Sequence, residues 1–289
     1  MKALAAGLIM LAGLASAQEN SGLDELTTRD DLRGWEPVGR IDSADGGFCT
    51  GALIAADLVL TAAHCVLQTD GSPVPAADLI FRAGYSYGTA LAEVPVRRTI
   101  ALPEFRNIDP APLEMLALDV ALLELAQPIP SAVISPFTVA LPGAGDAVSV
   151  VSYAEGREEA LSWQRLCRVV GRRDALIAVD CDVTNGSSGA PVLDRSGYRA
   201  KIVSIISSGA EMDGKPVAVG MELPGIVERL KAALRRGDAT SSADPAAGED
   251  GAAVASGMPG KPVRRIVMQG EGSDAAGGEA GAGARFVSP

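Results

Sequence analysis

The sequence predicts an all-β fold in two similar halves, followed by one α-helix. Three observations carry this prediction. From Val38 onward the chain breaks into short apolar runs separated by turn residues, with few helical periods. These runs form two sets, divided by a linker containing Pro128, Pro130 and Pro136. Beyond Gly237 the composition shifts abruptly to Gly, Ala, Ser, Asp and Glu. Many short strands with Gly and Pro turns mean a sandwich or barrel, and two similar sets suggest two barrels.

The first segment, 1–17, reads as a secretory signal. Lys2 gives a basic start, an apolar run covers 3–14, and Ala15-Ser16-Ala17 offers a small-residue cleavage site. The run falls short of the about 20 apolar residues that span a bilayer, which disfavours the competing reading of a retained anchor. Residues 18–37 are polar and without period, as expected of a surface arm. Strands of the first barrel (38–127) are expected at 51–54, 58–60, 79–83, 94–102 and 120–125. Those of the second (137–221) are expected at 147–153, 166–170, 176–179, 201–207 and 216–219. Leu223, Ile226, Val227, Leu230 and Leu234 recur at helical spacing, so a helix is expected over 223–236. Pro224 suits its first turn and Gly237 its end. The tail 237–289 has too little apolar surface to offset its ordering entropy and is expected to be disordered. Within it, Lys261-Pro-Val-Arg-Arg is a small basic break.

Composition excludes several functions. The net charge of −11 argues against nucleic acid, since phosphate binding needs clustered Lys and Arg. One His and no CxxC pair leave no zinc site, and no cofactor or metal is expected. No later segment is apolar enough to cross a membrane. Four cysteines, Cys49, Cys65, Cys167 and Cys181, suit a chain exported to an oxidising compartment, secreted or periplasmic.

Three segments carry candidate chemistry. In Leu58-Val-Leu-Thr-Ala-Ala-His64-Cys65 a strand runs into a small-residue turn bearing the chain's single His. Cys49 is near enough to pin that turn through a disulfide. In Leu118-Asp119-Val-Ala-Leu-Leu-Glu-Leu125 a carboxylate opens an apolar strand. Asn185-Gly-Ser-Ser-Gly-Ala-Pro191 is a tight loop ahead of Val192 and Leu193. Each alone has a bland reading: a structural His, a turn-forming Asp, a flexible loop. Together they suit nucleophilic acyl transfer. A serine hydroxyl needs a base to take its proton, imidazole is basic near neutrality, and a carboxylate fixes the imidazole tautomer. Glycines beside the serine let backbone N–H groups face a developing oxyanion.

TAAHC, DVALLEL and GSSGAP resemble the three signatures of trypsin-like serine endopeptidases of the chymotrypsin fold, over 38–236. The loop style is similar to bacterial members of the glutamyl-endopeptidase type. The resemblance implies two six-stranded antiparallel β-barrels and a His64, Asp119, Ser188 triad. It also implies an oxyanion hole from the Gly186 and Ser188 amides. Cys49–Cys65 and Cys167–Cys181 match family disulfides, each contributing about 2–4 kcal/mol. Ser207, Ser208 and Gly209 fall where the family's substrate-pairing strand lies. The implied partner is a polypeptide substrate, and the protein is expected to act as a monomer, free of membrane once its signal is removed.

Departures from the family pattern are informative. Ser187 stands where animal digestive members carry the Asp that receives a newly cut amino terminus. Arg40-Ile41 looks like an activation cut but lies too near Cys49, so activation of that kind is expected to be absent. Thr184 replaces a cysteine of a third disulfide. Ile206 stands where glutamyl members place a second His, so strict Glu specificity is not expected. A gapless count puts Asp182 where trypsin-like members have a pocket-floor Asp, where a buried carboxylate would attract Arg or Lys, although related bacterial loops carry Asp here without basic specificity. The competing function is a catalytically silent barrel used as a binding module. An esterase on an α/β-hydrolase sheet would need the order Ser, acid, His, which is not the order here.

Overall fold

The computed structural model describes residues 22–143, 147–243 and 264–268; the signal segment and most of the tail lie outside these. Strands β1 (Leu23–Leu26), β2 (Val38–Ser43), β3 (Phe48–Ala55), β4 (Leu58–Thr61), β5 (Leu79–Ala83) and β6 (Ala92–Ala101) come first. A short helix α1 (Leu113–Leu116) precedes β7 (Ala121–Leu125). Then follow β8 (Thr138–Val139), β9 (Ala147–Ala154), β10 (Arg157–Arg173), β11 (Leu176–Val179), β12 (Pro191–Asp194), β13 (Lys201–Ile205), β14 (Ser208–Met212) and β15 (Lys215–Met221). Helix α2 (Pro224–Arg236), β16 (Ser241–Ser242) and β17 (Arg264–Met268) come last among the described residues.

Strands β2 to β7 close on themselves in the order β2-β3-β4-β7-β6-β5, every pair antiparallel. Closure removes the free edges that a sheet would otherwise expose. Leu53, Val59, Leu79, Phe81 and Leu123 fill the interior. Arg40, where the sequence looks like an activation cut that is expected not to be used, lies inside β2 and is 5% exposed. Its Nε bonds Asp42 at 2.7 Å and its guanidinium lies 4.1 Å from the centre of the Tyr85 ring. Burial pushes the Asp42 carboxyl up, while the charges of Arg40 and Arg82 oppose that shift.

The second half differs from a closed six-stranded barrel. Its ten strands form one curled sheet, β17-β14-β15-β11-β10-β9-β12-β13-β8, with β1 added on β10. The long β10 makes the curl: its first part pairs with β9 and its last part with β11, with a register shift between Val169 and Gly171. The arm expected at 18–37 is bound to this sheet. Leu23 to Leu26 pair with β10, and Trp35 packs on Trp163 with ring centres 5.0 Å apart.

Helix α2 matches its expectation. It buries Ile226, Val227, Leu230 and Leu234, starts on Pro224 and ends at Gly237 in the left-handed region. The disorder expected from 237 onward does not hold for the described part of the tail. Ser241 and Ser242 pair with β6, and Arg264–Met268 pairs parallel with β14. Backbone pairing to a neighbouring strand orders these short stretches. No helix among the described residues is long and apolar enough to cross a membrane.

Candidate active site

His64 and Asp119 come together within the first barrel. β4 runs into a 3-10 turn, Ala63–Cys65, which carries His64. The Cys49–Cys65 disulfide ties this turn to β3. Asp119 lies between α1 and β7 with no exposed surface. Its Oδ1 accepts the His64 backbone N–H at 2.9 Å, and its Oδ2 meets His64 Nδ1 at 2.7 Å. A third donor, the Ser207 hydroxyl, reaches Oδ2 at 2.6 Å. A buried carboxylate needs such donors to stay charged. With Nδ1 donating to Asp119, the lone pair of His64 sits on Nε2. Sequence reasoning placed Ser207 with the substrate; the structure also gives it to Asp119.

Ser188 comes from the second half, on the loop between β11 and β12. Two glycines shape that loop. Gly186 has φ +86°, and a Cβ there would meet Phe48 Cε2 at 2.4 Å. Gly189 has φ +77°, and a Cβ would meet the Thr50 carbonyl oxygen at 2.3 Å. Left-handed backbone and lack of space both demand glycine. The Asn185 carbonyl accepts the Glu155 N–H at 2.7 Å, and the Asn185 side-chain amide donates to Glu155 Oε2 at 2.8 Å. In a trans peptide the N–H points opposite to the C=O. Pinning the Asn185 carbonyl on Glu155 therefore turns the Gly186 N–H the other way.

Thr50, which sequence reasoning missed, joins the two halves. Its N–H donates to the Ser188 carbonyl at 2.9 Å. Its hydroxyl donates to the Gly186 carbonyl at 3.0 Å and accepts the Tyr153 N–H at 3.0 Å. Its only signal in the sequence is its place next to Cys49.

Ser188 has no exposed surface and His64 is 6% exposed. Ser188 Oγ and His64 Nε2 are both buried and neither has a hydrogen-bond partner among the described residues. Ser187 is buried, its hydroxyl 3.4 Å from Ser152 Oγ, so a neutral pair fills this seat. Ile206 is buried as well. Ser208 and Gly209 open β14, beside Ser207.

Asp182 corrects an expectation. It is exposed, not buried, and its amide donates to Gln164 Oε1 at 2.7 Å. Burial pushes the Arg157 guanidinium down, and the charges of Asp182 and Glu158 hold it up. The Asp182 charge is thus directed at a residue of this chain.

Cys167–Cys181 is the second disulfide, and no described cysteine is free. Cys49, His64 and Cys65 cluster closely enough for a metal, but both sulfurs are spent in a disulfide.

Comparison with known proteins follows this geometry. The family model described as "Trypsin-like peptidase domain" matches residues 49–199. A solved structure of a Glu endopeptidase in complex with MPD matches with a TM-score of 0.61, at 18% identity. The match covers 73% of this chain and 96% of that one. At such identity the likeness carries the fold, a chymotrypsin-like one. A sequence search of curated proteins finds no match.

Proposed function

The chain belongs to the family of trypsin-like peptidase domains, serine endopeptidases, and from that premise we propose that it cleaves polypeptides with His64, Asp119 and Ser188 through an acyl-enzyme. The observation that carries this is the buried carboxylate of Asp119, which holds both the backbone N–H and Nδ1 of His64. That pairing leaves Nε2 as a base and stabilises the imidazolium that forms when Ser188 gives up its proton.

In the first half-reaction Ser188 Oγ attacks the scissile carbonyl while His64 Nε2 takes the hydroxyl proton. The oxyanion falls to the amides of Gly186 and Ser188, with Gly186 oriented by the Asn185–Glu155 clamp. Collapse expels the amine, which receives the proton from His64. Water, deprotonated by His64, then attacks the acyl-Ser188 ester, and Ser188 leaves with that proton. The substrate backbone lies along β14 at Ser208 and Gly209, as an added edge strand.

Ser187 supports activity without a freed amino terminus: no carboxylate in its seat calls for a cation. The burial of Arg40 in β2 supports the same reading. Export through the 1–17 signal, to periplasm or medium, suits the two disulfides. Ile206 and the exposed Asp182 speak against strict preference for Glu, Arg or Lys.

The test is hydrolysis of a mixture-based peptide library by the oxidised protein, beside Ser188→Ala. Cleavage by the parent alone is expected. A parent that stays folded and cuts no peptide would retract the proposal in favour of a silent barrel.

A further inference from the structure

The edge of β14 read above as the substrate track is already occupied. Ser208, Gly209, Ala210, Glu211 and Met212 pair in register with Arg264, Arg265, Ile266, Val267 and Met268. We propose that β17 is a built-in competitive inhibitor, a segment of the chain's own tail that docks on the substrate edge and closes the catalytic cleft. The inference rests on the reading of Ser207, Ser208 and Gly209 as the substrate-pairing residues.

Three observations support it. First, one strand edge accepts one partner. β15 takes the other edge of β14, so β17 and an incoming peptide compete for the same row of N–H and C=O groups. The first paired residue, Ser208, directly follows Ser207, whose hydroxyl holds Asp119. Second, the reactive atoms are sealed. Ser188 Oγ and His64 Nε2 have neither a hydrogen-bond partner among the described residues nor contact with solvent, whereas a site that takes polypeptide must present both. Third, the tail is anchored just before the segment. The Thr240 N–H donates to the Thr99 carbonyl at 2.7 Å, and the Ala243 N–H to the Arg97 carbonyl at 2.8 Å. Only 244–263 separates this anchor on the first barrel from the pairing on the second sheet. Such tethering gives an effective concentration on the order of mM, enough for a weak segment to hold its site.

The polarity suits an inhibitor. β17 runs parallel to β14, so toward its carboxyl end it travels away from Ser188. Its paired peptide bonds lie off the nucleophile and stay uncut. Parallel pairs are also slightly less stable per residue than antiparallel ones, so a good substrate displaces it. The basic break that began as an unexplained feature of the tail, Lys261 to Arg265, contributes Arg264 and Arg265 to this strand.

The test uses the full chain and its double variant Ile266→Pro/Val267→Pro. Along a strand alternate residues bond to a given neighbour, so adjacent prolines remove the facing N–H whichever residue supplies it. Two readouts are taken on both proteins: amide exchange across 208–212, and kcat/KM on a fluorogenic peptide long enough to lie along β14. Faster exchange in the variant is expected, with kcat/KM raised about tenfold, mostly through KM. Equal exchange in the two proteins overturns docking, even if both cleave peptide well. Faster exchange with equal kcat/KM in active enzymes overturns inhibition. Faster exchange with no cleavage by either protein keeps the docked strand and sinks the peptidase reading instead.

Discussion

The two halves of the proposed catalytic group are held in different ways. His64 and Asp119 lie on the closed barrel, locked by a disulfide and by the bonds of the Asp119 carboxylate to the His64 turn. Ser188 rides on a loop of an open, curled sheet, and Thr50 ties that loop back to the barrel. The proposed base is therefore set mostly within its own half, with Ser207 as its one named tie to the other, while the proposed nucleophile and its amides depend on how the halves meet. Substitutions on the two sides should differ in kind: on the His side they alter proton transfer, on the Ser side they alter alignment.

The largest effect sharpens the first side. Asp119→Asn keeps the shape but presents an N–H to His64 Nδ1, favouring the wrong tautomer. We expect kcat to fall about 10⁴-fold with little change in KM, as in the triad template. Steady-state kinetics across neutral pH check this.

Next comes a change on the Ser side. Gly189→Ala puts a Cβ 2.3 Å from the Thr50 carbonyl oxygen and 2.2 Å from Thr61 Oγ1, in a left-handed backbone. The loop must shift away from the barrel. An expected loss of about 10²-fold in kcat or more, set against the cost of small misplacement, leaves the His64–Asp119 pair intact. A variant of parental activity would break the claim that alignment is set at this contact.

Thr50→Val is milder. It keeps the N–H bond to Ser188 and removes the hydroxyl that serves Gly186 and Tyr153. Leaving those buried groups unpaired costs about 1–3 kcal/mol, seen in urea unfolding, with kcat reduced more than KM changes.

A fourth variant isolates the barrel from the site. Glu124 on β7 is paired with Arg97 and Arg98. Burial works against its ionisation, but hydrogen bonds and charge from Arg98 and Arg97 outweigh this and hold its carboxyl below the ordinary value. Its charge therefore adds stability at neutral pH that is lost as pH falls through the depressed value. Glu124→Gln should lower Tm at neutral pH, converge with the parent in acid, and spare kcat/KM. The smallest effect belongs to Asp182→Asn. Exposed and facing Arg157, Asp182 should change the preference for basic residues by less than about twofold, within the small worth of surface charge pairs.

The difference between the halves also governs what could be read from the sequence. His64 and Asp119 sit in local patterns, a strand into a small-residue turn and an acid before an apolar strand. Those patterns survive without knowing the tertiary contacts. The Ser188 loop was legible because its glycines are required locally. Thr50 was not, because the partner of its hydroxyl, Gly186, is 136 positions away. Asp182 was misjudged because a gapless count gives position along the loop but not burial. The cut suggested by Arg40-Ile41 is set aside by its spacing to Cys49, and the burial of Arg40 against Asp42 and Tyr85 agrees with that. The second sheet's open edge was missed because closure is a property of registers, not of strand count. β17 was hidden because its order comes from backbone pairing with β14, within a stretch of tail whose composition alone predicts none.

The central claim is that Ser188 is a nucleophile activated by the buried His64–Asp119 pair. Covalent labelling of the oxidised, full-length protein with a fluorophosphonate probe tests it most directly, because the probe needs an activated hydroxyl and no particular peptide sequence. Labelling of the parent, mapped to Ser188 by mass spectrometry and lost in both Ser188→Ala and His64→Ala, is the predicted result. A folded parent and a folded Ile266→Pro/Val267→Pro variant that both take up no label would contradict it.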